Sequence, residues 1–477
     1  MQKIPHLLLL ALFFANLLQA GDQQESRAAS SQHTQSSPPN IIFIFADDLG
    51  WGDLSRYGNT RIETPELDQL ANEGTLYTHF YVPGSVCSPT RVGIMTGQYP
   101  ARHRTFGHFG TGKLNERRGM PDHLDTDAYT LTDLLRDVGY TTAHFGKWHL
   151  GMRNPPAPSE YGVDFYRTNI DSNIAGKEPM DISSPDARPV SSKRILDETL
   201  EFIREHKEEP FYVNAWLFDM HSTLNPSAEQ LAPFKRFKPR NVDFHGIEEV
   251  YFAALAEMDR QIGRFMDELD AMGLAENTLV IFSSDNGPED YVITSTAHSG
   301  AGSAGPFRGR KRSLYEGGIR MPFILRWPGQ VPAGVVNDHS IVNGVDFLPT
   351  LAALTQAELP ESFAPDGENM LPVWLGATTQ RSRPIFWEWR YDVYGHPMHR
   401  SPRIAMREGD YKLLFNPDRS RVELYNVVAD PAEMQNLAKE QPELTERMLQ
   451  SAQAWFDTLP ESKPDARAGR NDWKWPK

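Results

Sequence analysis

The stretch Asn40–Asp48, "NIIFIFADD", decides the fold. Its run of β-branched and aromatic residues does not alternate with polar ones, which is typical of a strand buried on both faces of a sheet. Asp47 and Asp48 follow where this strand ends. An Asp pair alone is also typical of a turn or a helix cap. Ligands of open α/β sheets, however, bind beyond the carboxyl ends of the strands, so the stretch predicts a sheet with a polar site at its edge.

The same arrangement recurs three times along the chain. Amphipathic helical patterns alternate with the strand-like segments "YTTAHF" (140–145), "FYVNAWLF" (211–218) and "TLVIFSS" (278–284). Polar residues follow each strand in turn: Lys147 and His149, then Asp219 and His221, then Asp285 and Asn286. Alternating strands and helices predict a largely parallel sheet covered on both faces. The polar residues are therefore expected to meet at one edge of that sheet.

Composition narrows the classes of partner. The net charge of −15 argues against nucleic acid and against anionic membranes as partners. The apolar run from Leu7 to Leu18 predicts a signal peptide over residues 1–20, and hence a secreted or periplasmic protein. Residues 21–39 lack apolar periodicity and predict a flexible leader.

The oxygen donors at the predicted edge indicate a metal site. Asp47, Asp48, Asp285 and Asn286 form an all-oxygen set, which favours a hard divalent cation over zinc. Ca²⁺ is expected because it accepts irregular, carboxylate-rich coordination, and Mg²⁺ stays open. The neighbouring cationic or proton-donating candidates are Arg91, Lys147, His149, His221 and Lys311. Such a basic pocket in an acidic protein predicts an anionic reacting group.

Cys87 is the single cysteine of the chain and lies in "SVCSPTRVGIMTG", residues 85–97. Exported proteins usually pair their cysteines, so a lone one is either a small buried hydrophobe or a reactive group. Pro89 predicts the start of a helix here, and a helix N-terminus adds anion stabilisation.

The segment "CSPTR", Cys87–Arg91, followed by "VGIMTGQYP", resembles the signature of the formylglycine-dependent sulfatases, in which C-x-P-x-R directs oxidation of the cysteine to an aldehyde. Other family-like segments occur in the family's order: "NIIFIFADDLGWGDL", "GYTTAHFGKWHLG", "SSDNG", "FRGRKRSLYEGGIRMPFI", "DFLPTLAAL" and "REGDYKLL" with "ELYNVVADPAEMQNLA". The resemblance implies an alkaline-phosphatase-like α/β catalytic domain, residues 40–380, with a mostly parallel or mixed sheet flanked by helices. A smaller C-terminal α+β domain with an antiparallel sheet, residues 381–477, is expected to follow.

The resemblance also implies a sulfuric ester hydrolase whose formylglycine, made from Cys87 by a maturation enzyme, is the nucleophile. The implied metal ligands are Asp47, Asp48, Asp285, Asn286 and the modified Cys87. One hydroxyl of the hydrated aldehyde attacks sulfur, and the second then expels sulfate.

The remaining implied roles belong to basic residues. Arg91 would hold the formylglycine, Lys147 with His149 forms the pair beside the nucleophile, and Lys311 contacts the sulfate. His221 is implied as the acid that protonates the leaving oxygen, and His149 as the base. The surroundings of His221, "MHSTLNPS", depart from the family's usual H-T-x-P pattern.

The segment "FWEWRYDVYGHPMHRSPR", residues 386–403, predicts where sugars bind, because it is rich in aromatic and basic side chains. The candidate contacts are Trp387, Trp389, Arg390, His396, His399 and Arg400. Packing between the domains is an equal alternative for the two tryptophans. A sulfated poly- or oligosaccharide is expected, with an algal galactan such as carrageenan favoured over glycosaminoglycans. Two rival functions stay open: a phosphoester or phosphonate hydrolase on the same fold, and a catalytically silent carbohydrate-binding protein.

Overall fold

The computed structural model describes residues 38–152, 154–291, 298–461 and 464–471. The predicted signal peptide and residues 21–37 of the predicted leader lie outside these ranges. From Asn40 onwards the chain forms one compact unit, so a domain division near residue 380 stays a prediction. Within the described ranges, no helix has the length and apolar character needed to cross a membrane.

The larger sheet is built around the strand predicted from "NIIFIF". Its strands are β1 (Asn40–Ala46), β2 (Thr75–Tyr81), β3 (Thr141–Gly146), β4 (Phe165–Thr168), β5 (Phe211–Trp216), β6 (Thr278–Ser284), β7 (Arg320–Arg326), β8 (Val335–Asn337) and β9 (Val342–Asn343). They lie in the order β4-β3-β5-β1-β6-β7-β2-β8, with β9 paired to β2. All residues of β1 are buried, because β5 and β6 flank it and both of its faces are covered. This confirms the predicted strand that is buried on both faces.

The directions of the strands explain why the polar residues lie at one edge of the sheet. β1, β3, β4, β5 and β6 are mutually parallel, whereas β7 is antiparallel to both β6 and β2. Two reversals make β2 parallel to β6. The carboxyl ends of β1, β2, β3, β5 and β6 therefore share an edge with the amino end of β7, which the sequence reading did not identify as a strand.

Helices cover both faces of this sheet. The α-helices of the described residues are α1 (Pro65–Asn72), α2 (Cys87–Thr96), α3 (Gly112–Arg118), α4 (Leu131–Asp137), α5 (Ser191–His206), α6 (Ala228–Leu231), α7 (Ile247–Ala271), α8 (Glu316–Ile319), α9 (Phe347–Thr355), α10 (Leu371–Trp374) and α11 (Pro442–Phe456). Alternate β1 residues enter different hydrophobic clusters, with Phe43 in one and Ile42 in the other. Both faces of the sheet are thus core, as the unbroken apolar run predicts.

The second sheet is antiparallel and lies near the C-terminus. It contains β10 (Ile385–Glu388), β11 (Ile404–Glu408), β12 (Tyr411–Phe415) and β13 (Val422–Asn426), in sequence order. Helix α11 packs against β11 and β12. The mixed, mostly parallel sheet with flanking helices and the separate antiparallel sheet confirm the predicted fold class.

Candidate active site

The strand ends bring the predicted residues to one edge of the large sheet. Asp47 and Asp48 follow β1, Lys147 and His149 follow β3, His221 follows β5, and Asp285 with Asn286 follows β6. Cys87 and Arg91 lie on α2, which begins beyond the carboxyl end of β2, and Lys311 precedes the reversed strand β7. Asp219 is oriented differently: Ser191 and Ser192 donate hydrogen bonds to its carboxylate, and Arg188 pairs with it at 3.0 Å.

Buried carboxylates and cations alternate across this edge. Lys147 Nζ contacts the Asp47 carboxylate, and Lys311 Nζ lies 2.5 Å from Asp48 Oδ1. Arg91 Nη2 lies 2.8 Å from Asp285 Oδ2 and 3.9 Å from Asp47 Oδ2. Burial opposes ionisation of Asp47, but the charges of Lys147, His221, Arg91 and Lys311 together lower its pKa well below the usual range. The lowered pKa keeps the Asp47 carboxylate ionised at neutral pH.

Several oxygens at this edge fit a hard cation. Asp47 Oδ1 and Asn286 Oδ1 are buried and have no hydrogen-bond partner among the described residues, although such atoms are nearly always paired. Ligand atoms of Asp47, Asp48 and His221 all lie within 4.8 Å of one another. Burial and the neighbouring Asp47 charge raise the pKa of Asp285 well above its usual range. A divalent cation would relieve this repulsion and give the two orphaned oxygens a partner.

The helix that carries the lone cysteine is buried throughout. Helix α2 begins at Cys87, two residues before Pro89, whose missing N–H costs nothing in a first turn. Arg91 lies one turn after Cys87, and its Nη1 donates to the Lys147 carbonyl at 3.1 Å. The arginine has no solvent exposure, and its guanidinium lies over Trp216 at 4.8 Å. The C-x-x-x-R spacing thus fixes the cysteine beside a cation that cannot rotate away.

The two candidate histidines are held by backbone carbonyls. His149 Nε2 lies 3.2 Å from the Phe109 carbonyl, and His221 Nδ1 lies 2.7 Å from the Ser222 carbonyl. His221 Nε2 is thereby turned towards Asp48, 4.0 Å away. Burial, reinforced by Lys147, lowers the pKa of His149 to about 3 and that of His221 to about 4. Both imidazoles are therefore neutral at pH 7 in the free protein.

Backbone strain is concentrated at the same edge. Asp48, His149 and Arg312 have φ of 61°, 57° and 75°, a region that residues other than glycine rarely adopt. Such conformations persist where the surrounding structure imposes them, and they cluster at functional sites.

Glu289 and Arg312 form a charged pair beside Lys311 that was not predicted from the sequence. Glu289 accepts hydrogen bonds from Arg312 Nη1 at 2.5 Å and Nη2 at 2.9 Å, and its Oε2 lies 3.9 Å from Lys311 Nζ. Both residues adjoin recognised motifs, "SSDNG" and the segment around Lys311. Proximity to those motifs was the available signal, but nothing in the sequence indicates that the two side chains pair.

The predicted sugar contacts separate into a buried and a partly exposed group. Trp387 and Trp389 are only 1% and 4% exposed, and the Trp387 indole N–H donates to the Val82 carbonyl at 2.7 Å, which favours the packing interpretation. Arg390 is also buried and pairs with Glu388. The partly exposed residues are His396, His399 and Arg400. His399 Nδ1 lies 2.8 Å from the carboxylate of Asp290, the neighbour of Glu289.

A cavity of about 950 Å³ opens beside the site rather than at it. Its lining includes Trp51, Tyr291, Phe307, Arg310 and His399, and none of the buried carboxylates or lysines described above. It offers aromatic surface next to the His399 side of the site.

The comparisons with known proteins agree with this geometry. The family model described as Sulfatase matches residues 39–357, which is more than half of the chain. The chain belongs to the sulfatase family. A second model, N-sulphoglucosamine sulphohydrolase, C-terminal, matches residues 305–454 of this sulfatase. Family membership makes it a sulfuric ester hydrolase, as predicted.

Individual relatives cover most of this sulfatase. It is 28% identical to the N-acetylgalactosamine-6-O-sulfatase of Bacteroides thetaiotaomicron, over 92% of this chain and 97% of the relative. It is 32% identical to arylsulfatase A of Bos taurus, over 80% of this chain and 75% of the relative. Among solved structures, Ps i-CgsB in complex with k-i-k-neocarrahexaose superimposes with a TM-score of 0.73 and 27% identity, covering 88% of this chain and 93% of the other.

Proposed function

We propose that this sulfatase releases sulfate from a sulfated carbohydrate, with formylglycine formed at Cys87 as the nucleophile. The observation that carries the proposal is the position of Cys87 at the start of α2, four residues before a buried Arg91 that pairs with Asp285. Similarity to an N-acetylgalactosamine-6-O-sulfatase and to a structure bound to neocarrahexaose supports a carbohydrate substrate. One name contains neocarrahexaose and the other N-acetylgalactosamine, so we propose sulfated galactans, including carrageenan, or galactosamine-containing chains.

The metal that fits this site is Ca²⁺, and its ligands would be Asp47, Asp48, Asp285 and Asn286. When bound, the cation supplies Lewis acidity that favours negative charge on oxygen. The protein's own residues then act on the substrate. Lys147 and Lys311, both buried beside the carboxylates, are poised to neutralise sulfate oxygens.

The proton transfers are proposed for the two histidines. A sugar alkoxide is a poor leaving group, so its oxygen needs a proton as the S–O bond breaks. His221 is neutral in the free protein, and the negative charge of an arriving sulfate would raise its pKa and let it carry that proton. His149, which is held neutral by burial and by Lys147, is suited to accept a proton in the step that releases sulfate.

The first experiment follows the mass of the peptide that contains Cys87 and the release of sulfate by the same preparation. Protein from a host able to mature sulfatases should carry a residue 87 about 18 Da lighter than cysteine, because CH₂SH becomes CHO. It should also release sulfate from carrageenan or chondroitin oligosaccharides repeatedly. Cys87→Ser, which provides one hydroxyl instead of two, should not turn over.

Two results would contradict the proposal. Sustained turnover by Cys87→Ser would exclude formylglycine chemistry. A fully modified protein that binds sulfated oligosaccharides without releasing sulfate would favour the silent binding protein. Methyl phosphonate and sugar phosphate esters in the same assay test the phosphorus-ester alternative, for which we expect much slower hydrolysis.

We also propose export by the N-terminal segment and modification of Cys87 by a maturation enzyme. The apolar run from Leu7 to Leu18 supports export. Fractionation of cells that express either the full chain or a chain without residues 1–20 tests this export. Equal recovery of both forms outside the cytoplasm would contradict export by this segment.

A further inference from the structure

A basic residue that the proposed chemistry does not use, Arg118, lies beside the reaction centre. Arg118, the last residue of α3, donates from Nη1 to the His108 carbonyl at 3.1 Å. Its guanidinium carbon lies 4.6 Å from the ring centre of Tyr391, whose hydroxyl donates back to the Arg118 carbonyl at 3.3 Å. The stacked ring and the carbonyl together fix the plane of this guanidinium.

A short stretch of backbone connects Arg118 to the residues around the nucleophile. Phe109 follows His108, and its N–H donates to Ser88 Oγ at 3.1 Å. The Phe109 carbonyl lies 3.2 Å from His149 Nε2. Arg118 is therefore anchored one residue away from a peptide that contacts both the neighbour of Cys87 and a candidate catalytic histidine.

The charges around Arg118 are unbalanced. Within the described part of the chain, no carboxylate oxygen lies within ion-pair distance of its guanidinium, whereas Arg312 nearby is paired with Glu289. Burial, together with the charges of Arg117 and Arg312, lowers the pKa of Arg118. Burying an arginine without a counter-ion costs free energy. A ligand anion would supply the negative charge that the described residues do not provide.

The local shape leaves room for the guanidinium. A side chain at Gly107 would place Cβ 2.8 Å from the Tyr391 ring and 3.4 Å from Arg118 Nη1, so glycine leaves room for the arginine. Tyr394, on the segment that carries Tyr391, is 57% exposed and offers a hydroxyl near Arg118.

We propose that Arg118 binds a second anionic group of the substrate, close to the sulfate that is cleaved. The anion is a sulfate ester or a carboxylate on the same or the adjoining sugar, since both match the guanidinium fork. The inference rests on the proposed function and extends it: the preferred substrate carries at least two negative charges. Arg118 acts as a specificity-determining residue and takes no part in bond cleavage.

The test compares three sugars with matched enzymes. The probes are N-acetylgalactosamine 6-sulfate, N-acetylgalactosamine 4,6-disulfate, and the chondroitin disaccharide in which a glucuronate adjoins N-acetylgalactosamine 6-sulfate. Sulfate release is measured with the mature protein and with Arg118→Gln, and 4-nitrophenyl sulfate serves as a general sulfatase substrate. Arg117→Gln is the control, because it removes the same charge from an exposed position on the same helix.

We expect kcat/KM to be at least about tenfold higher for one doubly charged sugar, and Arg118→Gln to remove most of that preference, chiefly through KM. The preferred sugar identifies the anion as sulfate or carboxylate. Arg117→Gln should keep the preference.

Two outcomes would overturn the inference while leaving the proposed function intact: equal kcat/KM for the singly and doubly charged sugars, or a preference that survives in Arg118→Gln. Failure to release sulfate from all three sugars, from 4-nitrophenyl sulfate and from carrageenan oligosaccharides would remove the proposed function, and this inference with it.

Discussion

At the residue scale, the chemistry depends on charges that are buried side by side. Arg91 is completely buried yet stays charged, because Asp285 pairs with it and Trp216 covers its guanidinium. Its Nε is buried and has no hydrogen-bond partner in the part of the chain that the structure describes. Tertiary packing offsets the free-energy cost of burying these charged groups, and it holds the site rigid before substrate binds.

His221→Ala tests the proposed acid. The variant should lose about 10²-fold to 10⁴-fold in kcat on a sugar sulfate, and far less on 4-nitrophenyl sulfate, because nitrophenolate leaves without protonation. Steady-state rates on both substrates provide the measurement, with His245→Ala as a half-exposed control. Equal losses on the two substrates would remove His221 as the acid.

His144→Gln tests a pH dependence of stability. His144 is fully buried between Trp148 and Trp216, and burial lowers its pKa to about 3. In the unfolded chain the histidine has a pKa of about 6.5, so below this pH it binds a proton that it does not bind in the folded chain. Its contribution to the free energy of unfolding therefore falls by up to about 1.4 kcal/mol per pH unit.

The difference in free energy of unfolding between the parent protein and His144→Gln should therefore shrink steadily as pH falls from 6 to 4. Urea unfolding at pH 7, 6, 5 and 4 measures it, with the exposed His339→Gln as control. A difference that does not change with pH would contradict a neutral His144.

At the element scale, the reversed strand β7 completes the site. Because β7 runs against its neighbours, the residues before it, rather than after it, lie at the active edge. Helix α8 precedes β7 directly, and Lys311 lies a few residues earlier. The loop after β6 packs so tightly against α8 that Gly287 N–H donates to the Gly318 carbonyl at 3.1 Å.

Gly287→Ala tests this contact. A Cβ at position 287 would lie 2.0 Å from the Gly317 carbonyl oxygen, so the loop that carries Asn286 must shift. We expect a loss of about 1–3 kcal/mol in stability together with a large loss of kcat. Thermal unfolding and sulfate release measure both effects.

Gly112→Ala is the matched control, since its Cβ would meet only Asp122 carboxylate oxygens at 3.7 Å. It should leave stability and activity nearly unchanged. Normal activity in Gly287→Ala would show that the close approach is unimportant for the site.

At the scale of the whole molecule, a buried ionic network joins the two sheets. Lys412 on β12 lies 3.0 Å from Glu316 Oε1 on α8 and 3.1 Å from Glu433 Oε1, and all three side chains are fully buried. The antiparallel sheet is thereby tied to the helix that leads into β7. Both sheets consequently depend on the same buried charges.

Lys412→Met tests the network. It leaves two buried glutamates without their shared cation, so we expect a loss of about 3–5 kcal/mol in the free energy of unfolding. Arg419→Met, which breaks an exposed pair with Glu446, should cost far less, because solvent screens the pair. Chemical denaturation followed by fluorescence measures both. A loss in Lys412→Met no larger than that of the control would show that the network does not hold the sheets together.

The sequence by itself determined the central strand, the alternation of strands and helices, and the residues at the strand ends. These follow from local patterns, namely a continuous apolar run and helical periodicity. Only the tertiary structure decided that β7 is reversed, that Glu289 pairs with Arg312, and that Trp387 and Trp389 are buried. It also decided that Arg118 has no counter-ion among the described residues. The physical reason is that burial, pairing and strand direction depend on contacts between residues far apart in the chain, and no local pattern encodes them.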